Sequence, residues 1–210
     1  MPKFGSMATT WLAKNAPRRV EARLRLQSPR LPRPFETPML SLEPPLPQHL
    51  AELLAFETSN RAFFERTINA RPPSYYAESS LAEAIAAAQR DAHSDAAYQY
   101  LIRDRAGTLV GRVNLSRVRR AHFHSAELGY RIAERASGQG YASEAVRQVI
   151  AKAFAEHGLQ RLEATARPEN LGSVKVLTRN GFSQYGRSTK SFELGGQWYD
   201  LLHYELRAQA

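Results

Sequence analysis

The chain of 210 residues contains no cysteine. Disulfides, thiolate metal sites and a cysteine nucleophile are excluded on that ground alone. No apolar run approaches the roughly 18 residues of a membrane span. The N-terminus is basic but lacks an apolar core segment, so no secretory signal is expected. Of the six histidines only His122 and His124 lie close together. No carboxylate or cysteine completes a metal-ligand pattern around them, so no metal is expected. There is no repeat at 20–50-residue spacing. Together these absences make a cytoplasmic enzyme without a metal the default expectation.

Acidic residues are scarce at one end. Residues 1–34 carry eight Lys or Arg against a single acid, Glu21, which is +7 of the chain's net +9. Prolines crowd the following stretch, including Pro29, Pro32, Pro34, Pro38, Pro44, Pro45 and Pro47. Such composition predicts a basic, poorly packed extension over 1–34 and a single folded domain over 35–210. The extension reads either as an electrostatic tether to an acidic partner such as rRNA or a ribosome, or as the product of an upstream start, with Met7 an alternative first residue.

The richest stretch runs from Ala126 through Gly129-Tyr130-Arg131-Ile132 and Ser137-Gly138-Gln139-Gly140-Tyr141-Ala142 to Val146. It reads as a strand, a tight glycine turn and an amphipathic helix. A helix N-terminus leaves backbone N–H groups unpaired and carries partial positive charge. Glycines at that point allow an anion to approach the backbone closely. The segment therefore reads as a phosphate or pyrophosphate holder, or else as a plain strand-to-helix turn. A Walker loop would end in Gly-Lys followed by Ser or Thr, and a Rossmann fingerprint needs three spaced glycines in an early βαβ unit. Neither is present.

Ser137-x-x-Gly140-x-Ala142 resembles the acetyl-CoA pyrophosphate loop of the GNAT N-acyltransferases, with Ser137 where Gln or Arg is usual. Downstream, Leu162-Glu163-Ala164, then Pro168-x-Asn170-x-x-Ser173, then Asn180-Gly181-Phe182 resemble the second signature of the ribosomal-protein (RimJ/RimL-type) branch. The resemblance covers about residues 39–207. It implies an α/β (α+β) fold with a mixed central sheet flanked by helices. It also implies acetyl-CoA as cosubstrate and direct attack of an amine on its thioester.

The coarse pattern agrees with such a layout. Strands are expected at Met39–Glu43, Tyr98–Arg103, Thr108–Val118, Ser125–Ala133 and Leu162–Ala166. Helices are expected at Leu46–Thr58, from a Ser80-Leu81-Ala82-Glu83 capping box to near His93, from Gly140 to Gly158, and at Leu171–Asn180. Phe182–Phe192 and Gln197–Arg207 should close the chain as a hairpin across Gly195-Gly196.

The resemblance also distributes roles. The backbone edge near Tyr130 and Ile132 would pair with the pantetheine amides. Ser137, Gly138, Gln139, Gly140, Tyr141 and Ala142 would face the pyrophosphate, and Asn170 and Ser173 the cofactor arm. Asn170 reads equally as a plain N-cap. Glu127 is the first choice as general base and Glu163 the second, each with the alternative of a surface strand charge. Ser173 and Tyr204 are candidate proton donors to the leaving thiolate, and Tyr204 reads alternatively as a core aromatic. Phe63, Phe64, Tyr75 and Tyr76 fall in the segment that covers the acceptor, as pocket lining or as packing. The acceptor reads first as a protein N-terminal amine, next as a small amine such as an amino acid, polyamine or antibiotic. A ribosome- or RNA-associated binding module is the alternative from another class, and the oligomer is a monomer or a homodimer.

Removal of residues 1–34 is expected to leave the melting temperature and acetyl-CoA affinity unchanged. Calorimetry and titration on the shortened chain check this, and loss of soluble protein would show that the segment packs on the domain.

Overall fold

The computed structural model describes residues 39–209. The basic segment 1–34 lies outside the described residues. The chain runs β1 (Leu40–Glu43), α1 (Leu50–Ser59), α2 (Arg61–Glu65), α3 (Glu78–His93), β2 (Tyr98–Asp104), β3 (Leu109–Arg119), β4 (Ser125–Ile132), α4 (Tyr141–Ala155), β5 (Arg161–Ala166), α5 (Leu171–Arg179), β6 (Ser183–Leu194) and β7 (Gln197–Arg207). The strands form one seven-stranded sheet in the order β1-β2-β3-β4-β5-β7-β6. Every pairing is antiparallel except β4 with β5. The mixed sheet flanked by helices is the architecture expected from the sequence.

Alternation along the strands sorts the two faces. On β4, Arg131 reaches Glu57 of α1, whereas its neighbour Tyr130 reaches Ser173 of α5. Helices α1 and α3 pack together, as do α4 and α5. The sheet thus separates an α1 face from an α5 face. Leu53, Leu81 and Ile85 fill the core under α1 and α3, and Ala145, Val146 and Val149 that under α4. The apolar stripe read in the sequence for α4 is the buried one. Gly181, at φ +86°, follows α5 as a left-handed C′ residue, and Phe182 behind it is buried. Gly195 and Gly196, both at positive φ, close the β6–β7 hairpin.

Three expectations need correction. Helix α3 begins at Glu78 with Ala77 as its N-cap, so Ser80 and Glu83 stand inside the helix rather than forming a capping box. A short 3₁₀ turn over Pro73–Tyr76 delivers Ala77 in extended conformation, and Glu78 complements the N-terminal dipole. Helix α1 begins at Leu50, after a separate 3₁₀ turn over Pro47–His49. Helix α4 ends at Ala155, three residues before Gly158.

Glu57 was hidden among the apolar positions of α1. It is 2% exposed, and its carboxylate accepts from Arg112 Nη1 at 2.8 Å and Arg131 Nη2 at 2.5 Å. One carboxylate shared by two guanidiniums joins α1 to the central strands. Glu57→Ala is expected to lower the unfolding free energy by about 3 kcal/mol, the low end for a broken buried ion pair, because both arginines are part-exposed at the cleft. Urea denaturation measures it.

Candidate active site

Strands β4 and β5 pair over only three rungs: Ser125 with Arg161, Ala126 with Leu162, and Glu127 with Glu163. Beyond Glu127 and Glu163 they part, although β4 continues to Ile132 and β5 to Ala166. The edge of β4 from Leu128 onward keeps β3 on one side and has no strand on the other. Backbone groups on such an edge need partners and are free to take them from an extended ligand.

The parting opens a cleft of about 620 Å³. Leu128, Gly129, Tyr130 and Arg131 line it on one side and Ala164, Thr165, Ala166 and Arg167 on the other. Asn170 and Ser173 border it from α5, and Phe64, Arg71 and Tyr75 from the covering segment. A Cβ at Gly129 would lie 3.0 Å from Asn114 Oδ1 on the adjoining strand β3.

On the α5 face, the Tyr130 hydroxyl lies 3.1 Å from Ser173 Oγ and donates to the Ser173 carbonyl at 3.3 Å. Burial pushes the Tyr130 phenol up to about 12, so it stays neutral at physiological pH. Ser173 N–H donates to Asn170 Oδ1 at 3.1 Å. Asn170 is therefore an N-cap, and it also borders the cleft. These two readings are compatible, because the cap fixes the side chain that the cleft meets.

At the end of β4 the chain turns through Gly138 and Gly140, at φ +79° and +84°. Gly140 caps α4 with no side-chain hydrogen bond. The first helical bond is Glu144 N–H to Gly140 C=O, so the amides of Tyr141, Ala142 and Ser143 have no carbonyl one turn back. A Cβ at Gly138 or Gly140 would meet nothing within 4 Å. The space beside these left-handed residues is open, as an anion cradle requires. The Ser137 hydroxyl donates to Ala133 C=O, and Gln139 Nε2 donates to Arg135 C=O. Both side chains brace the loop itself. Ile132 is buried behind it.

Glu127 and Glu163 sit side by side on the last common rung and point to the α1 face. Neither borders the cleft. Glu127 pairs with Arg117 at 2.9 Å, and Glu163 with Arg161 at 2.9 Å and Arg119 at 3.3 Å. Tyr204 is 2% exposed, stands in the core, and does not border the cleft. Burial raises its phenol pKa above the ordinary value. The covering aromatics divide: Phe64 and Tyr75 border the cleft, Phe63 and Tyr76 do not.

Arg112, Arg131 and Gln99 escaped the sequence reading, although all three border the cleft on the α1 face. Arg112 Nη2 donates to Gln99 Oε1 at 2.8 Å and Arg131 Nη2 to Tyr75 Oη at 3.2 Å. The available signal was the charge of the two arginines, and the polar amide of Gln99, within strands that bury apolar residues.

The model of the acetyltransferase (GNAT) domain matches residues 39–183. The chain belongs to the GNAT acetyltransferase family. It is 34% identical over 150 residues to a probable N-acetyltransferase of Bacillus subtilis, YjcK, covering 71% of this chain and 83% of that one. Against the [ribosomal protein uS5]-alanine N-acetyltransferase of Escherichia coli it is 33% identical over 92 residues, 44% of this chain and 47% of that one, so it matches about half of that enzyme's length. Among solved structures it resembles Mycobacterium smegmatis RimJ in complex with CoA-disulfide, at TM-score 0.75 and 25% identity, covering 80% of this chain and 82% of that one. The fold is also that of the ribosomal-protein-S5-alanine acetyltransferase of Vibrio fischeri, with TM-score 0.78, 21% identity and coverage of 82% and 95%. The protein is an acetyl-CoA-dependent N-acetyltransferase of this family. Among the described residues no helix is long and apolar enough to cross a membrane, and no group of three or more His, Asp or Glu could hold a metal ion.

Replacing Gly140 by valine puts a branched side chain into the open space at positive φ. Gly140→Val is expected to abolish the rise in melting temperature that acetyl-CoA produces in the parent protein. A folded Gly140→Val protein with unchanged acetyl-CoA affinity, measured by calorimetric titration, would remove the loop from the cofactor site.

Proposed function

We propose that the protein acetylates an N-terminal α-amine of a protein substrate, such as a ribosomal protein, in the cytoplasm. The observation that carries this reading is the parted β4–β5 pair. It leaves one strand edge open on the line from the glycine loop to a cleft bordered on both faces of the sheet. A relative that acts on an alanine of a ribosomal protein supports the acceptor.

Acetyl-CoA supplies an acetyl thioester that a neutral amine attacks directly. The chain's own residues divide the remaining work. The amides of residues 138–142 hold the pyrophosphate, and the free edge around Tyr130 and Ile132 takes the pantetheine amides. Asn170 and Ser173 fix the arm from the α5 side. Attack forms the C–N bond and breaks the C–S bond. The ammonium proton leaves through water to Glu127, and a proton from Ser173 Oγ reaches the departing sulfur. Tyr130, 3.1 Å from Ser173 Oγ, positions and resupplies it. Tyr204, closed in the core, serves packing rather than proton transfer.

Glu127 is preferred over Glu163 because a single, highly exposed arginine holds it, whereas two arginines hold Glu163. Both face the α1 side, from which the acceptor arrives. A weak base suffices for this acceptor. An α-amine has a reference pKa of about 7.8 against about 10.4 for lysine, a difference worth about 3.5 kcal/mol in supplying the neutral amine. The basic segment 1–34 is proposed as a tether to an acidic assembly.

Glu127→Gln is expected to lower kcat by roughly 10²-fold with acetyl-CoA binding intact. If Glu163→Gln carries that loss instead and Glu127→Gln turns over like the parent, the assignment passes to Glu163. The acceptor itself is decided by comparing initial rates on short N-terminal peptides, N-terminally blocked lysine peptides and small amines. Acetylation confined to small amines would overturn the N-terminal reading.

A further inference from the structure

The α1 face of the cleft is strongly cationic. Arg112 and Arg131 stand directly opposite each other on β3 and β4, so both side chains occupy this face. Arg167 joins them from just past the end of β5, donating to the Arg66 carbonyl of the covering segment at 3.2 Å. Arg71 closes the group from the cover, its guanidinium 5.0 Å from the centre of the Tyr75 ring. All four border the cleft.

Among the described residues no acidic residue borders it. Glu57 is, among those residues, the carboxylate that reaches Arg112 and Arg131, and it is buried and shared between them. That group therefore keeps a net positive charge. Arg131 reaches Glu57 and Tyr75 through Nη2, and its guanidinium lies over the Phe64 ring. Arg71 and Arg167 rest on tyrosine rings, Tyr75 and Tyr199, and neither pairs with a carboxylate among the described residues. Glu127 and Glu163 lie on the same face of the sheet, but at the closed end, and are already paired with Arg117, Arg119 and Arg161.

The cofactor's phosphates do not account for these charges. The loop with the open amides leads into α4, which packs with α5 on the far side of the sheet. The arginines face α1, where a peptide would enter. Such an array attracts and orients an anion and disfavours a cation.

We propose that the acceptor N-terminus carries a carboxylate side chain within its first few residues, and that Arg71, Arg131 and Arg167 select it. The inference rests on the N-terminal reading above. It implies that polycationic amines are poor acceptors, since they would meet four guanidiniums at the mouth.

The test uses the full chain and short peptides that share the same first residue and length. Residues 2–4 are acidic in one set, neutral in a second and basic in a third. The acidic set is expected to show kcat/KM at least about tenfold above the neutral one, mainly through KM, and the advantage should shrink as salt rises. The basic set should be the poorest. Arg71→Glu, at a side chain that rests on the Tyr75 ring, should bring the acidic-to-neutral ratio near one and raise the basic set. Arg167→Glu repeats the experiment at the opposite side of the cleft, just past β5. Equal turnover of acidic and neutral peptides would overturn the proposal and leave the N-terminal reading standing. An acidic preference untouched in both variants would overturn the arginine assignment. No acetylation of any peptide would overturn both readings together.

Discussion

The parallel contact between β4 and β5 lasts three rungs and then fails, and the site is organised by that failure. A continuous ladder would bury its edge groups and leave no path through the sheet. The parted strands expose one edge to an extended ligand. They also give access from both faces, one meeting α5 and the other the segment from α1 to α3. Each face then carries its own chemistry. Tyr130, Asn170 and Ser173 form a neutral hydrogen-bonded group on the α5 face. Arg112 and Arg131, with buried Glu57, form a charged one on the α1 face.

Two contacts fix the strands beside the gap. Gly129 stands where a side chain would crowd Asn114 of the neighbouring strand β3. Glu57 ties α1 to β3 and β4 together. A carboxylate at 2% exposure would be costly alone, and two guanidiniums offset that cost. The same arrangement leaves excess positive charge at the entrance. On the proposal made above, stability of the cover and discrimination among acceptors would draw on one set of side chains.

In the loop before α4 the glycines take left-handed conformations and the side chains of Ser137 and Gln139 bond back to the loop. If the amides hold the pyrophosphate as proposed, the residue at position 137 need only hold the turn.

Much of the fold was legible in the chain because periodicity and punctuation are local. The stripe of α4, the glycine pair of the last hairpin and the Asn170 cap each depend on residues within a few positions of one another. The start of α3 was misplaced because a proline-led 3₁₀ turn outcompeted the side-chain cap. The local geometry of the glycine loop and of the Asn170–Ser173 pair was equally readable, since it is set by neighbouring residues. What joins Arg112 to Arg131, or Glu57 to both, is register across strands and docking of a helix 74 residues away from its partner. Alternation alone cannot say which strands meet or where a ladder breaks off. The sequence by itself determined the turns, caps and amphipathic faces. Only the tertiary structure decided that β4 and β5 separate after Glu127 and Glu163, that Tyr204 is enclosed, and that four arginines converge on one mouth, because those outcomes depend on contacts between segments far apart in the chain.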